Sequence, residues 1–427
     1  MNVESCYMKL EMICTGEEIL AGQVVDTNAA WVGERLMEQG IEMQRRVTVG
    51  DRLEDLISVF QERSQCADVI LVNGGLGPTE DDMSAFAMAQ AKGEPLVECV
   101  AWRERLERWY ASQGRIMPAS NSKQALLPAS AVMVDNPVGT ACGFRIKLNK
   151  AWLFFTPGVP HEFKQMVDEQ FIPFVISEHS VTENTLLYKL LTFGVGESSL
   201  ADDLDKLVIP EGITIGYRSY MPHIEIKLFA RGENAANALP ETVDKVKFVL
   251  GDSLVSDGHS SLAAEVNQRL LEQGKSLSIA ESCTKGQLAI ELLAQPGSDE
   301  YFHQAVIVTN EASKNKLLKI TPETTSKYGA ASIEMAVAMA SNLRLLLESD
   351  YALATSDMVE QEVDGRQRTM VSIALVSQGK IWHQTIDIPF RRPEMFRSIC
   401  AAVAYDMLRR ALLGTPPIIT YPFIRRF

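Results

Sequence analysis

Apolar and polar positions alternate along this chain in a repeating strand-then-helix rhythm. Leu10 to Thr15, Met43 to Val49 and Val69 to Asn73 are short apolar runs that read as strands. Between them, Asn28 to Gln39 and Leu53 to Ser64 place apolar residues at helical spacing. This βαβ succession continues through the helices Met83 to Lys92 and Trp102 to Gln113, the buried strand Trp152 to Thr156 and a helix from Pro160 to Asp168. It predicts helices packed on both faces of a parallel sheet. From about Phe174 to Asp257 the pattern changes to strands (Leu187 to Thr192, Ile213 to Tyr217, Ile224 to Phe229, Ser253 to Ser256) with short helices. Alternation resumes from Ser260, with the helix Leu262 to Gln273, the strand Ser276 to Ala280 and a last helix from Met395 to Leu413. The expected architecture is therefore α/β in three parts: residues 8–173, a small α+β linking domain at 174–257, and a second α/β domain at 258–415.

Two kinds of turn stand at the ends of the expected strands. After Val69 to Asn73 comes Gly74-Gly75-Leu76-Gly77-Pro78-Thr79-Glu80-Asp81-Asp82. Glycines there let backbone N–H groups approach phosphate oxygens, and the closing carboxylates offer a place for a divalent cation. The alternative is a tight connection in which Asp81 and Asp82 cap the following helix. Three further loops, Thr15 to Asn28, Asn136 to Phe144 and Phe155 to Phe163, lie beside apolar strands, and such loops converge on one crevice in an open parallel sheet.

The remaining composition narrows the functions open to the chain. A net charge of -14 over 427 residues argues against nucleic-acid binding, which needs clustered Lys and Arg. The seven cysteines never form a C-x-x-C pair, so disulfides and zinc are not expected and a reducing cytoplasm is the natural compartment. No apolar run reaches the ~18 residues that span a bilayer, so no membrane partner is expected. Met1 to Tyr7 reads as a dispensable extension, with Met8 as a second candidate start.

Gly16 to Asn28, Gly74 to Asp82, Pro137 to Gly143 and Pro157 to Glu162 resemble, in order and spacing, the CinA family (competence/damage-inducible protein A), whose amino-terminal domain is similar to the MogA/MoaB molybdopterin-binding fold. The resemblance implies a small-molecule ligand: a molybdopterin or, as in CinA proteins, ADP-ribose, whose pyrophosphate is hydrolysed with a divalent metal such as Mg, Mn or Co. On this reading Asp81 and Asp82 are the metal candidates, one of them ligating directly because adjacent side chains point apart, with Asp26 joining across the crevice. Gly16, Gly74, Gly75, Gly77, Thr79, Gly139, Pro157 and Gly158 form the nucleotide-binding loops, Asn28 and Asn136 reach ribose or base edges, and Glu162 activates water. His161 and the pair Glu17-Glu18 read as surface groups. A dimer is expected.

Glu281-Ser282-Cys283-Thr284-Lys285-Gly286 follows a strand and opens a helix. Ser282 there is either a nucleophile awaiting a base or a helix cap. The segment resembles the carboxy-terminal CinA domain, which in active members is a nicotinamide mononucleotide amidohydrolase using a serine, a lysine and a tyrosine. Here Lys285 replaces the first glycine of Glu-Ser-Cys-Thr-Gly-Gly. Lys314 keeps the lysine while Thr309 takes the tyrosine's place, and a one-residue gap would displace even the lysine. The family's glycine-rich Thr-Gly-Ile-Ala-Gly-Pro is replaced by Thr355-Ser356-Asp357-Met358-Val359-Glu360. The expectation is an inactive third domain, with retained amidase activity and non-enzymatic nucleotide or pterin binding as the alternatives. Arg391, Arg392 and Arg397 read as a solvated helix entry that could also reach a phosphate.

Overall fold

The computed structural model describes residues 8–179, 185–259, 261–363, 365–388 and 392–426; Met1 to Tyr7 and Arg391 lie outside the described residues. The chain forms two compact units. One comprises the chain up to Leu187 with Arg231–Ala236, and the other Tyr188–Ala230 with Asn237 onward.

In the first unit the apolar runs Leu10–Thr15 and Val69–Asn73 are buried along their whole length. They form the centre of a six-stranded sheet ordered Met43–Val49, Leu10–Thr15, Val69–Asn73, Ala151–Thr156, Gly143–Leu148, Val132–Val134. Alternate side chains explain the layering. Ile70 and Val72 pack with Leu56, Phe60 and Met88 on one face, while Val69 and Leu71 pack with Val32, Leu36 and Phe163 on the other. The first four strands run parallel, as the alternation predicts. Gly143–Leu148 and Val132–Val134 are antiparallel additions. The reason is local: only Asn149 and Lys150 separate Gly143–Leu148 from Ala151–Thr156, Asn149 takes a left-handed φ of 49°, and a two-residue turn can join only antiparallel neighbours.

The second unit's larger sheet is ordered Phe302–Ile307, Leu277–Glu281, Tyr351–Val363, Arg366–Ser377, Lys380–Asp387, Arg425–Arg426. Its first three strands are parallel and the rest antiparallel. The helix Pro393–Leu412 packs with Leu277, Ile279 and Leu353 on one face, and Ile333–Leu347 packs with Ala280, Ala352 and Ala354 on the other. A four-stranded sheet, ordered Ile213–Tyr220, His223–Arg231, Thr185–Phe193, Leu254–Asp257, occupies the region expected to link the α/β parts. The helix Glu233–Leu250 there carries Pro240 inside it. Among the described residues no helix is long and apolar enough to cross a membrane.

Candidate functional site

In the first unit, the carboxyl ends of Leu10–Thr15, Met43–Val49, Val69–Asn73 and Ala151–Thr156 border one cavity of about 470 Å³. Its floor is a turn that only glycine can build. Gly74 has φ 112° and Gly75 φ 69°. A Cβ on Gly74 would stand 2.6 Å from Thr15 Oγ1, and one on Gly75 would collide with Ser84 Oγ. The strand ends are stitched by two buried amides. Asn73 Nδ2 donates to the Pro157 carbonyl at 2.7 Å, while Asn28 Nδ2 donates to Asn73 Oδ1 at 3.1 Å and to the Gly158 carbonyl at 2.8 Å. Asn28 lines the cavity, is 5% exposed, and among the described residues its Oδ1 has no hydrogen-bond partner.

Of the sequence-derived candidates, Gly16, Asp26, Asn28, Gly74, Gly75, Gly77, Asp81, Asp82, Pro157, Gly158 and Glu162 line this cavity. Thr79, Asn136 and Gly139 do not. Thr79 is committed to Asp82, whose Oδ2 accepts from the Thr79 N–H at 2.9 Å and from its hydroxyl, so this threonine closes its own turn instead of facing a ligand. Asn136, fully buried, donates to Glu162 Oε2 at 2.7 Å and to the Ala141 carbonyl at 3.0 Å, and accepts the Gly139 N–H at 3.0 Å. Asn136 thereby positions Glu162. Gly139 is glycine because a Cβ would strike the Glu162 carboxylate. Exposed His161 stays outside the lining.

The cavity's electrostatics are one-sided. Glu18, Asp26, Asp51, Asp81, Asp82 and Glu162 line it, and among the described residues no lysine or arginine does. Burial pushes the Asp51 carboxyl above the usual range, opposed by the Glu17 N–H it accepts and reinforced by the charges of Glu18, Asp81 and Asp82. Asp51 escaped the sequence reading, and Glu18, read there as a surface group, lines the cavity. The signal for Asp51 was available, since it stands two residues beyond a strand end, but it carries no glycine-rich signature.

Asp26 Oδ1 caps the helix Thr27–Glu38 by accepting the Ala29 N–H at 2.9 Å, whereas its buried Oδ2 meets no hydrogen-bond geometry among the described residues. Among the described residues no three His, Cys, Asp or Glu side chains converge as a metal-holding group, so Asp26, Asp81 and Asp82 do not make a preformed cage. What fits is an ion that draws only one or two carboxylates from the protein and the rest of its shell from water and phosphate, as Mg²⁺ commonly does; Asp26 Oδ2 and Asn28 Oδ1 are the unspent acceptors.

In the second unit, Ser282 follows the strand Leu277–Glu281 and is 3% exposed. Its hydroxyl donates to Asp357 Oδ1, and Lys314 Nζ, on a side chain 1% exposed, pairs with Asp357 Oδ2 at 2.6 Å. The serine and lysine are thus brought together, but with a carboxylate wedged between them. Asp357 stands there because Tyr351–Val363 continues as a strand through the segment where the family pattern has glycines. Next to it, fully buried Glu281 accepts the N–H groups of Gly286, Leu288 and Ala289 at 2.9, 3.2 and 2.9 Å. The helix N-terminus that would attract a ligand anion is filled from within.

A family model described as a probable molybdopterin binding domain matches residues 11–176, and one described as the CinA C-terminal domain matches residues 259–412. A CinA-like protein of Shewanella baltica is 58% identical over 98% of this chain and 100% of its own length, and one of Shewanella frigidimarina is 57% identical over the same shares. The chain belongs to the CinA-like family. Among solved structures, the protein CinA of Thermoplasma acidophilum is 30% identical, with 39% of this chain and 96% of that one covered and a TM-score of 0.36. A competence or damage-inducible protein of Enterobacter asburiae is 25% identical, with coverage of 35% and 96% and a TM-score of 0.33. The order of a MoaB/Mog-like domain followed by a CinA domain, expected from the four loops and the Glu-Ser-Cys-Thr segment, is the family's own.

Proposed function

We propose that the first unit hydrolyses the pyrophosphate linkage of a nucleotide such as ADP-ribose, giving two monophosphates, with a divalent cation shared between protein and substrate. One observation carries this reading: a glycine turn shaped for close approach borders a cavity whose charged side chains are all carboxylates. A pyrophosphate cannot enter such a ring of like charge unaided. A cation bound with it would neutralise the phosphates and lower the pKa of a bound water. Asp81 or Asp51, with Asp26 Oδ2, would hold the ion. The backbone of Gly74 and Gly75 would contact nonbridging oxygens, and Glu162, fixed by Asn136, would accept the attacking water's proton.

Amidohydrolysis in the second unit is the disfavoured reading, because the Ser282 proton goes to Asp357 and Lys314 is spent on the same carboxylate. Binding of a nucleotide or pterin without turnover remains the competing account of the first unit. The deciding experiment incubates the full chain with ADP-ribose, with and without Mg²⁺, Mn²⁺ or Co²⁺, and follows release of AMP. Saturable, cation-dependent turnover that falls by two orders of magnitude or more in Asp81→Asn, Asp51→Asn or Glu162→Gln supports the hydrolase. Cation-dependent binding with no release of AMP supports the sensor instead.

A further inference from the structure

A strand at the margin of a sheet leaves one row of backbone N–H and C=O groups open, and proteins keep such edges from pairing by shortening them or charging them. Most margins of the three larger sheets follow this rule. Val132–Val134, Leu254–Asp257 and Arg425–Arg426 are two to four residues long, Met43–Val49 carries exposed Arg45 and Arg46, and Ile213–Tyr220 carries Arg218. Phe302–Ile307, in the second unit, breaks it. This margin is six residues long and holds no Lys, Arg, Asp, Glu or Pro. It pairs with Leu277–Glu281 on one side, and among the described residues no strand pairs with the other.

The surroundings of this edge are apolar as well. The helix Gln287–Leu293 starts beside it, since a Cβ on Gly286 would stand 2.9 Å from Ile307 Cδ1. Leu288, Ala289 and Leu292 turn to the core, yet Ile290, Leu293 and Ala294 form an exposed stripe at helical spacing. A helix apolar on both faces is one that is covered on both. Ile290, Leu293 and Ile307 are 68%, 58% and 51% exposed. On the other face of the sheet, His303 Nδ1 lies 3.2 Å from the Leu347 carbonyl, where the helix Ile333–Leu347 ends in exposed Leu345 and Leu346.

Charge says what covers this margin. Two copies of a chain with a net charge of -14 repel each other, so they meet best where no like charges face. An antiparallel pair of Phe302–Ile307 strands brings no charge against its copy. It also sets the exposed acids Asp299 and Glu300, which precede the strand, toward the segment that follows the copy's strand, where exposed Lys316 and Lys319 outnumber Glu311. Residues opposite each other in such a pair share a face. With Val306 on the twofold axis, small Ala305, packed on the face of Gln287–Leu293, stands opposite the copy's half-exposed Ile307. The stripe of Ile290 and Leu293 then lies alongside its own copy on that face.

The geometry points to Phe302–Ile307 and the outer face of Gln287–Leu293 as the surface on which two copies of this chain associate, joining their sheets edge to edge. It is independent of the hydrolase reading of the first unit. Sedimentation of the full chain tests it. A dimer is expected at about 10 µM, a concentration that fills an interface of ordinary size. Ile307→Asp and Ile290→Asp each place two like charges in the joint, and each should weaken association at least tenfold. Both side chains are more than half exposed, so the variants should keep the wild-type circular dichroism spectrum. Ile116→Asp, at a 94% exposed position of the first unit, should leave the dimer intact. Hydrogen exchange at Phe302–Ile307 should slow as the wild-type concentration is raised and stay fast in Ile307→Asp. A wild-type chain that sediments as a monomer, a dimer undisturbed by both aspartates, or exchange in this strand indifferent to concentration would overturn the assignment.

Discussion

Replacing Asp357 with alanine tests the wedge between Ser282 and Lys314. Lys314 is 1% exposed and its ammonium lies 2.6 Å from Asp357 Oδ2, so removing the carboxylate strands a charge away from water. Breaking a fully buried pair in this way costs roughly 3–5 kcal/mol. The Asp357 side chain is 30% exposed, so water regains part of the lost solvation, while the hydrogen bond from Ser282 is also lost. The net expectation is a loss of about 3 kcal/mol. Hydrogen exchange in the strands Leu277–Glu281 and Tyr351–Val363 measures it locally, unaffected by how the first unit unfolds. Adding Lys314→Met to Asp357→Ala should restore more than half of the loss, because the stranded charge and not the missing contact carries most of it. A loss below about 1 kcal/mol, or a double variant no more stable than the single one, refutes the reasoning.

Gly75→Ala should destabilise the first unit by about 1–3 kcal/mol in thermal melts and abolish ligand binding, since alanine must adopt φ 69° and meet Ser84 Oγ. Adding Ser84→Ala should recover only part, as the strained φ remains. His223 is buried, its Nε2 has no partner among the described residues, and burial lowers its pKa from 6.5 to about 4 against the opposing charge of Asp406. The neutral ring is what folds, so its contribution is complete above pH 6.5 and is lost as pH falls from 6.5 toward 4, by roughly 3 kcal/mol at the lower end. His223→Phe should flatten that stretch of the urea-stability profile, and identical profiles for the two proteins would discount the histidine.

Much of the fold was legible because its strands are short apolar runs with sharp ends. Leu10–Thr15, Met43–Val49 and Val69–Asn73 were read to the residue, and so was the helix Leu262–Gln273, which is closed by a Ser261 cap and Gly274 in the left-handed region. Tyr351–Val363 runs through Ser356, Asp357 and Glu360, residues that in the sequence look like a loop. Pairing with Arg366–Ser377 carries the strand onward, past a register shift between Thr355 and Met358. The site was legible wherever glycine geometry wrote it, as at Gly74 and Gly75. It was not legible where a polar side chain could serve either a ligand or a neighbour: Thr79 hydrogen-bonds Asp82, and Asn136 hydrogen-bonds Glu162. Nothing in the spacing reveals that Glu281 fills its own helix terminus or that Asp357 bridges Ser282 and Lys314, because these partners are 5 to 8 and 43 to 75 positions apart and meet only in the folded sheet.

The acidic cleft of the first unit is the centre of this account, and it is tested most directly by binding of the non-hydrolysable α,β-methylene analogue of ADP-ribose in the presence of EDTA and then of Mg²⁺. Binding should be undetectable with the chelator and appear on adding the cation, with Asp51→Asn and Asp81→Asn each shifting the cation requirement to higher concentration. Equally tight binding in EDTA, or a cation requirement indifferent to both substitutions, would contradict it.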